Sequence, residues 1–303
     1  MRELLDRRVL LVTGKGGVGK TTVATSLALE AARRGQRVLL VETAGSNQVP
    51  GLFGHGPASY EAQRVAEDLY TLSVTPEKAI EDYIVQQIKV RALFKMVFRN
   101  RVMGPFVDGV PGLHDLVQLG KVFDLERETS FGRNIWDLIV VDAPATGHGL
   151  TMLDAPRSMM ELTVAGPFHE NAKLVHELFV DGDKTALILV ALPEEMPVNE
   201  TLDLYERLGA YRPQVRACVL NELHPAPFTA LDRWDEARAA LSRPELSEAL
   251  ACTDRAVLRA RRQEQARRRL SQLPCPLLEL PFLYDRRLGE RQLGRLGRTL
   301  GAS

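Results

Sequence analysis

The chain of 303 residues has few cysteines and no long apolar run. Its cysteines, Cys218, Cys252 and Cys275, are far apart and odd in number, so neither a disulfide framework nor a Cys-x-x-Cys zinc site is visible. We expect reduced, buried thiols. No segment reaches the roughly 18 uncharged apolar residues that a membrane-spanning helix needs, and residues 1–8 lack the apolar core of a signal peptide. We therefore expect a cytoplasmic protein whose contact with membranes is only indirect.

An excess of charge of either sign is also missing. The chain has 39 lysines and arginines and 39 aspartates and glutamates, so its formal net charge is zero. A neutral chain offers no general attraction to the phosphates of nucleic acids, and we predict no nucleic-acid partner. With 45% hydrophobic and 26% charged residues, the composition is that of an ordinary globular protein.

Short apolar runs rich in β-branched residues alternate with helical patterns along the chain. The predicted strands are residues 8–13, 37–42, 69–74, 136–142, 185–192, 214–220 and 276–280. This alternation is typical of an α/β fold with a doubly wound, mainly parallel sheet. Tracts 76–131 and 147–180 show apolar residues at helical spacing and add no strand. We predict one domain over residues 1–303, in which these tracts form a helical insertion at the carboxyl edge of the sheet.

Residues 14–22 carry the most specific motif in the chain. They fit G-x-x-x-x-G-K-[ST], follow the apolar run 9–12 and open a helical pattern, so they predict the phosphate-binding loop of a P-loop NTPase core. In such a loop Lys20 pairs with the β- and γ-phosphate oxygens and the Thr21 hydroxyl binds Mg²⁺. The residues predicted to bind the nucleotide here are Gly14, Lys15, Gly16, Gly17, Val18, Gly19, Lys20, Thr21 and Thr22.

Lys15 turns this motif into the deviant form K-G-G-x-G-K-[ST]. With it, the chain resembles the family of the arsenite-pump ATPase and the tail-anchored-protein-targeting ATPase, with chromosome-partition and division-site ATPases as more distant relatives. The resemblance implies that Lys15 reaches across a dimer interface to the partner's phosphates, as an arginine finger does. It therefore predicts ATP as the ligand and a homodimer, or a heterodimer with a homologous ATPase. The alternative is that Lys15 is only a solvated loop lysine.

A second motif lies where another predicted strand ends. Residues 139–141 are apolar and Asp142 follows them, which is the placement of a Walker-B-type aspartate that holds Mg²⁺ directly or through water. Residues 143–148 read A-P-A-T-G-H and resemble the family's switch II, D-T-A-P-T-G-H-T, at unbroken spacing. Alternatively, Asp142 caps the following helix.

The switch I segment departs from the family pattern. Aligned without gaps, Ala44 stands where relatives have the aspartate that orients the attacking water. Glu42 is the nearest spare carboxylate, and we predict that it positions the water. It could instead assist Mg²⁺ through a water or simply end its strand. The missing aspartate thus bears on the prediction of ATP hydrolysis and not on that of ATP binding.

The residues predicted to bind adenine lie near the carboxyl terminus. Val219-Leu220-Asn221 resembles the strand end whose asparagine hydrogen-bonds the adenine edge in the family, and residues 280–283, with Pro281 and Phe282, resemble the loop that lies against the base. Asn221 could otherwise serve as a turn residue before His224-Pro225.

The insertion tracts are rich in methionine and other large apolar residues. In targeting relatives such tracts form a groove for a client transmembrane helix, although these side chains could equally pack the insertion's own core. Neither tract contains the cysteines that a trivalent metalloid would need. The sequence thus predicts an ATP-dependent dimeric switch that hydrolyses ATP slowly and binds a protein client. The main alternative is a weakly hydrolysing or non-hydrolysing subunit that pairs with a homologous ATPase in a membrane or cytoskeletal complex.

Overall fold

A computed structural model describes residues 2–43, 47–88, 112–228 and 231–302. Its main sheet has eight strands in the order β10-β9-β8-β1-β7-β2-β4-β3. Every neighbouring pair is parallel except β3 and β4, which run antiparallel. The strands are β1 Val9–Gly14, β2 Val38–Glu42, β3 Gln63–Ala66, β4 Leu69–Ser73, β7 Leu138–Ala145, β8 Thr185–Ala191, β9 Val215–Leu223 and β10 Leu277–Pro281, and a separate two-stranded sheet contains β5 Thr129–Ser130 and β6 Arg133–Asn134.

The predicted doubly wound sheet is confirmed, and each of the predicted strands matches a parallel strand to within three residues at either end. The edge strand Gln63–Ala66 was missed because it has only four residues and begins with the polar Gln63 and Arg64, so no apolar run marks it. The hairpin of β5 and β6 is a small correction, because β5 falls inside the tract 76–131 that was predicted to add no strand. Its residues are exposed, which again leaves no hydrophobic pattern to read.

Helices cover both faces of the sheet, because strand residues alternate between two apolar cores. The described helices are α1 Arg2–Leu5, α2 Lys20–Arg33, α3 Val49–Leu52, α4 Pro76–Ile88, α5 Leu113–Arg127, α6 Thr146–Leu162, α7 Pro167–Val180, α8 Glu195–Arg207, α9 Trp234–Ala240, α10 Ser247–Leu270 and α11 Glu290–Ala302. Helices α2 and α11 pack together over the face that includes Leu10 and Val12. Helices α5 to α8 pack over the face that includes Val9 and Leu11.

The four helices α4 to α7 occupy the predicted insertion tracts and pack against one another. Within them, Met152, Leu153 and Met159 are buried in the core under the sheet, as expected if they pack the protein's own interior. Leu162 is exposed at the end of α6. The other part of the methionine-rich set, residues 93–106, lies outside the described residues. That these helices form an insertion within a single domain, at the carboxyl edge of the sheet, stays a prediction.

The cysteines differ in their environments. Cys218 is buried in β9, but Cys252 is exposed and Cys275 is half-buried, so the expectation that all three are buried was wrong for these two. Cys252 lies on a helix whose outward face is polar, and a lone cysteine in the sequence does not reveal which face it occupies. Across the ranges that the structure describes, no helix is both long and apolar enough to cross a membrane.

Candidate nucleotide site

The predicted phosphate loop is one tight turn from the end of β1 to the start of α2, and it contains every loop residue named above. Gly14 has φ +154° and Gly19 has φ +89°, backbone conformations that favour glycine. A Cβ at Gly14 would meet the Val190 carbonyl oxygen, and one at Gly19 would meet the Asn221 amide nitrogen. Helix α2 begins directly after Gly19, so its amino terminus and the loop amides are placed together as an anion cradle.

Lys20 and Thr21 open helix α2 beside Asp142. The Lys20 ammonium donates to the Lys15 carbonyl oxygen at 3.1 Å. Burial lowers the pKa of Lys20, and the nearby Asp142 carboxylate partly opposes this. The Thr21 hydroxyl donates to Asp142 Oδ2 at 2.6 Å, which joins the phosphate loop directly to strand β7. The two motifs that the sequence placed 121 positions apart therefore form one site.

Asp142 is 2% exposed and lies in register between Val12 of β1 and Glu42 of β2. Burial raises its pKa to about 6; the Thr21 hydrogen bond and the Lys20 charge lower the pKa, and Glu42 raises it. Its second oxygen, Oδ1, is buried and has no hydrogen-bond partner among the described residues. A buried carboxylate oxygen of this kind calls for a cation or another donor.

The oxygen atoms around Asp142 fit Mg²⁺. A hydroxyl and a carboxylate are hard oxygen ligands, and Mg²⁺ bound to a nucleotide usually takes only one or two of them from the protein. Thr21 and Asp142 would hold the ion, and its charge would offset the negative charge of the phosphates. The oxygen atoms of Thr21 and Asp142 are thus of the type that Mg²⁺ binds, and their role as metal ligands stays a prediction.

Lys15 extends from the other side of the loop and is 29% exposed. Its ammonium makes an ion pair with Glu200 Oε1 of α8 at 2.7 Å. Lys15 is thus held at the rim of the site by its own subunit. Glu200 was not among the predicted site residues, since its contact with Lys15 joins positions far apart in the chain and Glu200 lies within no recognised motif.

Glu42 is completely buried at the end of β2. Its Oε1 accepts hydrogen bonds from the main-chain amides of Gln48 at 3.0 Å and Val49 at 3.3 Å, so it anchors the chain that returns after residues 44–46. Ala44 itself lies outside the described residues. The Glu42 carboxylate lies beside Asp142 on the neighbouring strand, as its predicted catalytic role requires. However, its Oε1 is already hydrogen-bonded to the main chain.

The residues predicted to bind adenine line a single cavity of about 150 Å³. Asn221, Pro281 and Phe282 lie there beside Thr22, the last residue of the loop motif. The Asn221 amide nitrogen donates to the Val18 carbonyl oxygen at 3.0 Å, so this side chain also ties β9 to the phosphate loop. His224 stacks on Phe282 with ring centroids 4.4 Å apart. The turn role proposed for Asn221 does not fit, because it lies within β9 and is buried.

We predict that Asn221→Ala lowers the affinity for ATP about three- to tenfold, because a hydrogen bond contributes about 0.5–1.5 kcal/mol. Inorganic triphosphate, which has no base, should lose less affinity, and discrimination between ATP and GTP should weaken. Titration calorimetry with the three ligands measures these effects. Equal losses for ATP and triphosphate would mean that Asn221 acts only through Val18, which would contradict the adenine role.

A glycine-rich phosphate loop between strand β1 and helix α2, at the carboxyl edge of a mainly parallel sheet, defines a P-loop nucleotide-binding protein. The chain belongs to the anion-transporting ATPase family, whose model matches residues 7–165 and 162–243.

Several relatives of this chain are named as ATPases. The ATPase BagA of Mycobacterium tuberculosis is 31% identical over an alignment of 306 positions, which covers 92% of this chain and 88% of BagA. The ATPase GET3B of Arabidopsis thaliana is 26% identical over 301 residues, covering 82% of this chain and 73% of the relative. The ATPase GET3 of Mycosarcoma maydis is 26% identical over 262 residues, with coverage of 74% and 75%. The predicted family is thereby confirmed.

Proposed function

We propose that this chain is a cytoplasmic, ATP-dependent switch that closes as a dimer, hydrolyses ATP slowly and thereby controls a protein client bound by the helices α4 to α7. The observation that carries the proposal is the joining of the phosphate loop to strand β7 through Thr21 and Asp142, with a second lysine, Lys15, at the rim of the same loop. Membership of an ATPase family supports the nucleotide chemistry.

Within one subunit, the loop amides and Lys20 would bind the β- and γ-phosphates, and Thr21 and Asp142 would hold Mg²⁺. Lys15 would complete the site of the partner subunit. Its place at the rim supports this role, because an ammonium held at the loop surface can face a second molecule. To do so it must leave Glu200. Both side chains of this ion pair are only half-buried, and ion pairs accessible to water contribute about 0.2–1 kcal/mol. The phosphates of a partner can therefore displace Glu200.

A matched pair of substitutions tests the dimer. Lys15→Ala should leave the nucleotide affinity of the monomer within about threefold of wild type, because the charge acts on the partner, but should abolish ATP-driven association. Glu200→Gln removes the same ion pair and keeps the lysine, so association should persist or strengthen. Sedimentation velocity with an ATP analogue measures both. Normal association of Lys15→Ala would contradict the proposal that Lys15 acts across the interface.

The alternative proposal is a weakly hydrolysing or non-hydrolysing subunit that pairs with a homologous ATPase in a membrane or cytoskeletal complex. Ala44 favours it, as does the use of Glu42 Oε1 to anchor the main chain. This subunit would bind ATP, show background turnover alone and stimulate turnover when mixed with the homologue from the same cell. Metalloid efflux is a weaker proposal, because the tracts 76–131 and 147–180 contain none of the cysteines that would bind a metalloid.

A further inference from the structure

Gln118 is a buried amide on the apolar face of α5, where it is 5% exposed among core residues such as Val117 and Leu119. Its Nε2 donates to the Thr43 carbonyl oxygen and to the Val74 carbonyl oxygen, both at 3.0 Å. An amide nitrogen carries two hydrogens, so one side chain can satisfy both acceptors. A polar group at this depth requires such partners, and these two fix α5 to the sheet.

The two carbonyl groups lie where the chain leaves the carboxyl edge of the sheet. Thr43 follows β2 and leads into residues 44–46, the switch I segment, whereas Val74 follows β4 and precedes α4. The two exits are themselves linked, because the Val74 amide donates to the Glu42 carbonyl oxygen at 2.9 Å. Gln118 therefore joins α5 to both segments that run from the nucleotide edge.

Toward the phosphate loop, Thr43 is hydrogen-bonded to Asp142. The Thr43 hydroxyl and main-chain amide both donate to the Asp142 main-chain carbonyl oxygen, at 2.9 and 3.3 Å. The Asp142 carboxylate in turn accepts the Thr21 hydroxyl hydrogen bond at 2.6 Å. The result is a continuous buried path from the phosphate loop through Asp142 and Thr43 to Gln118.

On the side of the insertion, α5 is held to its neighbours. Lys121 makes an ion pair with Asp82 of α4 at 2.7 Å, and α5 packs directly against α4, α6 and α7. A displacement of α5 must therefore be shared by these helices, because packed interfaces change between discrete arrangements and do not deform continuously.

We propose that Gln118 is a positioning residue that transmits the nucleotide-dependent movement of Thr43 to α5 and so to the insertion helices. The proposal rests on the proposed function as an ATP-dependent switch. When ATP and its cation reorganise Thr21 and Asp142, Thr43 moves with the Asp142 main chain, and Gln118 carries α5 with it. An apolar side chain of the same size would fill the space but would form no hydrogen bond to either carbonyl oxygen, so α5 would not be coupled to their movement.

The test compares hydrogen exchange of the full chain with an ATP analogue and with ADP, both with Mg²⁺. In the wild type, the nucleotide should change protection in α5, α6 and α7. Gln118→Met should keep ATP affinity within about threefold and lose most of this difference. The control is Gln36→Met. Gln36 precedes the amino end of β2, opposite the end that carries Thr43, and its side-chain amide donates a hydrogen bond to the Leu5 carbonyl oxygen. The variant removes this bond and should keep the wild-type difference.

Different outcomes overturn different claims. A wild type without any difference between the nucleotides in α5 to α7 would overturn the switch and with it the role of Gln118. A Gln118→Met variant that keeps the wild-type difference, or a Gln36→Met variant that loses it equally, would overturn the role of Gln118 alone. If Gln118→Met does not fold, Thr43→Val serves instead, because it removes one hydroxyl hydrogen bond of the same path. It should reduce the difference by about half, and an undiminished difference would contradict the proposal.

Discussion

Lys20→Ala should lower the affinity for ATP at least about tenfold, because a charge-assisted hydrogen bond to phosphate contributes about 1.5–3 kcal/mol. Lys20 begins α2 inside the loop, and its ammonium reaches back to the Lys15 carbonyl oxygen, so its charge lies within the anion cradle. Titration calorimetry with ATP measures the loss, and thermal unfolding reports whether the fold is intact.

Two controls sharpen this result. Lys20→Met keeps most of the apolar stem and should lose nearly as much affinity, which would assign the effect to charge rather than to packing. Lys184→Ala removes a partly exposed lysine paired with Glu126 and should leave ATP affinity unchanged. If a folded Lys20→Ala variant bound ATP as the wild type does, the phosphate-loop assignment would be wrong.

Glu42→Gln should abolish ATP turnover while ATP affinity stays within about threefold. The amide keeps the Oε1 acceptor that binds the Gln48 and Val49 amides, but it loses the negative charge that would polarise a water. Glu42→Ala removes both and should also disturb the chain after residues 44–46. A steady-state phosphate-release assay, with calorimetry for affinity, separates the catalytic from the anchoring role.

The same assay distinguishes the two proposed functions. If the wild type is already at background, the chain is the non-hydrolysing subunit, and Ala44→Asp, which introduces the carboxylate that the resemblance to the family predicts at this position, should raise the rate. A robust wild-type rate that survives Glu42→Gln would contradict both the role of Glu42 and the non-hydrolysing alternative. The water-positioning group would then have to lie elsewhere, with Asp142 or a residue of the partner subunit as the next candidate.

The parts of the site that the sequence predicted are those encoded locally. The phosphate loop and Asp142 each come directly after a run of buried apolar residues, and such a run predicts both the strand and the sheet edge near which the next residues lie. Parallel pairing then brings Thr21 and Asp142 together without further information. Asn221 was named from a resemblance to the family's strand-end asparagine; it lies within β9, and its adenine role stays a prediction.

The parts that escaped prediction depend on contacts between distant segments. Glu200 and Gln118 belong to helices, and their roles arise only when those helices pack against the loop and the switch I segment. Gln118 did leave one signal, since a glutamine among the apolar positions of α5 implies a buried partner. The anchoring role of Glu42 depends on how the chain returns at Gln48, which strand periodicity does not describe.

Sedimentation velocity of the wild-type chain with Mg²⁺ and a non-hydrolysable ATP analogue, compared with Mg²⁺ and ADP, tests the central claim most directly. The proposed switch predicts a dimer with the ATP analogue and a smaller dimer fraction with ADP, because only the triphosphate offers a γ-phosphate to Lys15 of the other subunit. The homologous ATPase is added in a second run, where a mixed dimer would support the heterodimer. The same sedimentation coefficient with both nucleotides, alone and with the homologue, would contradict the account.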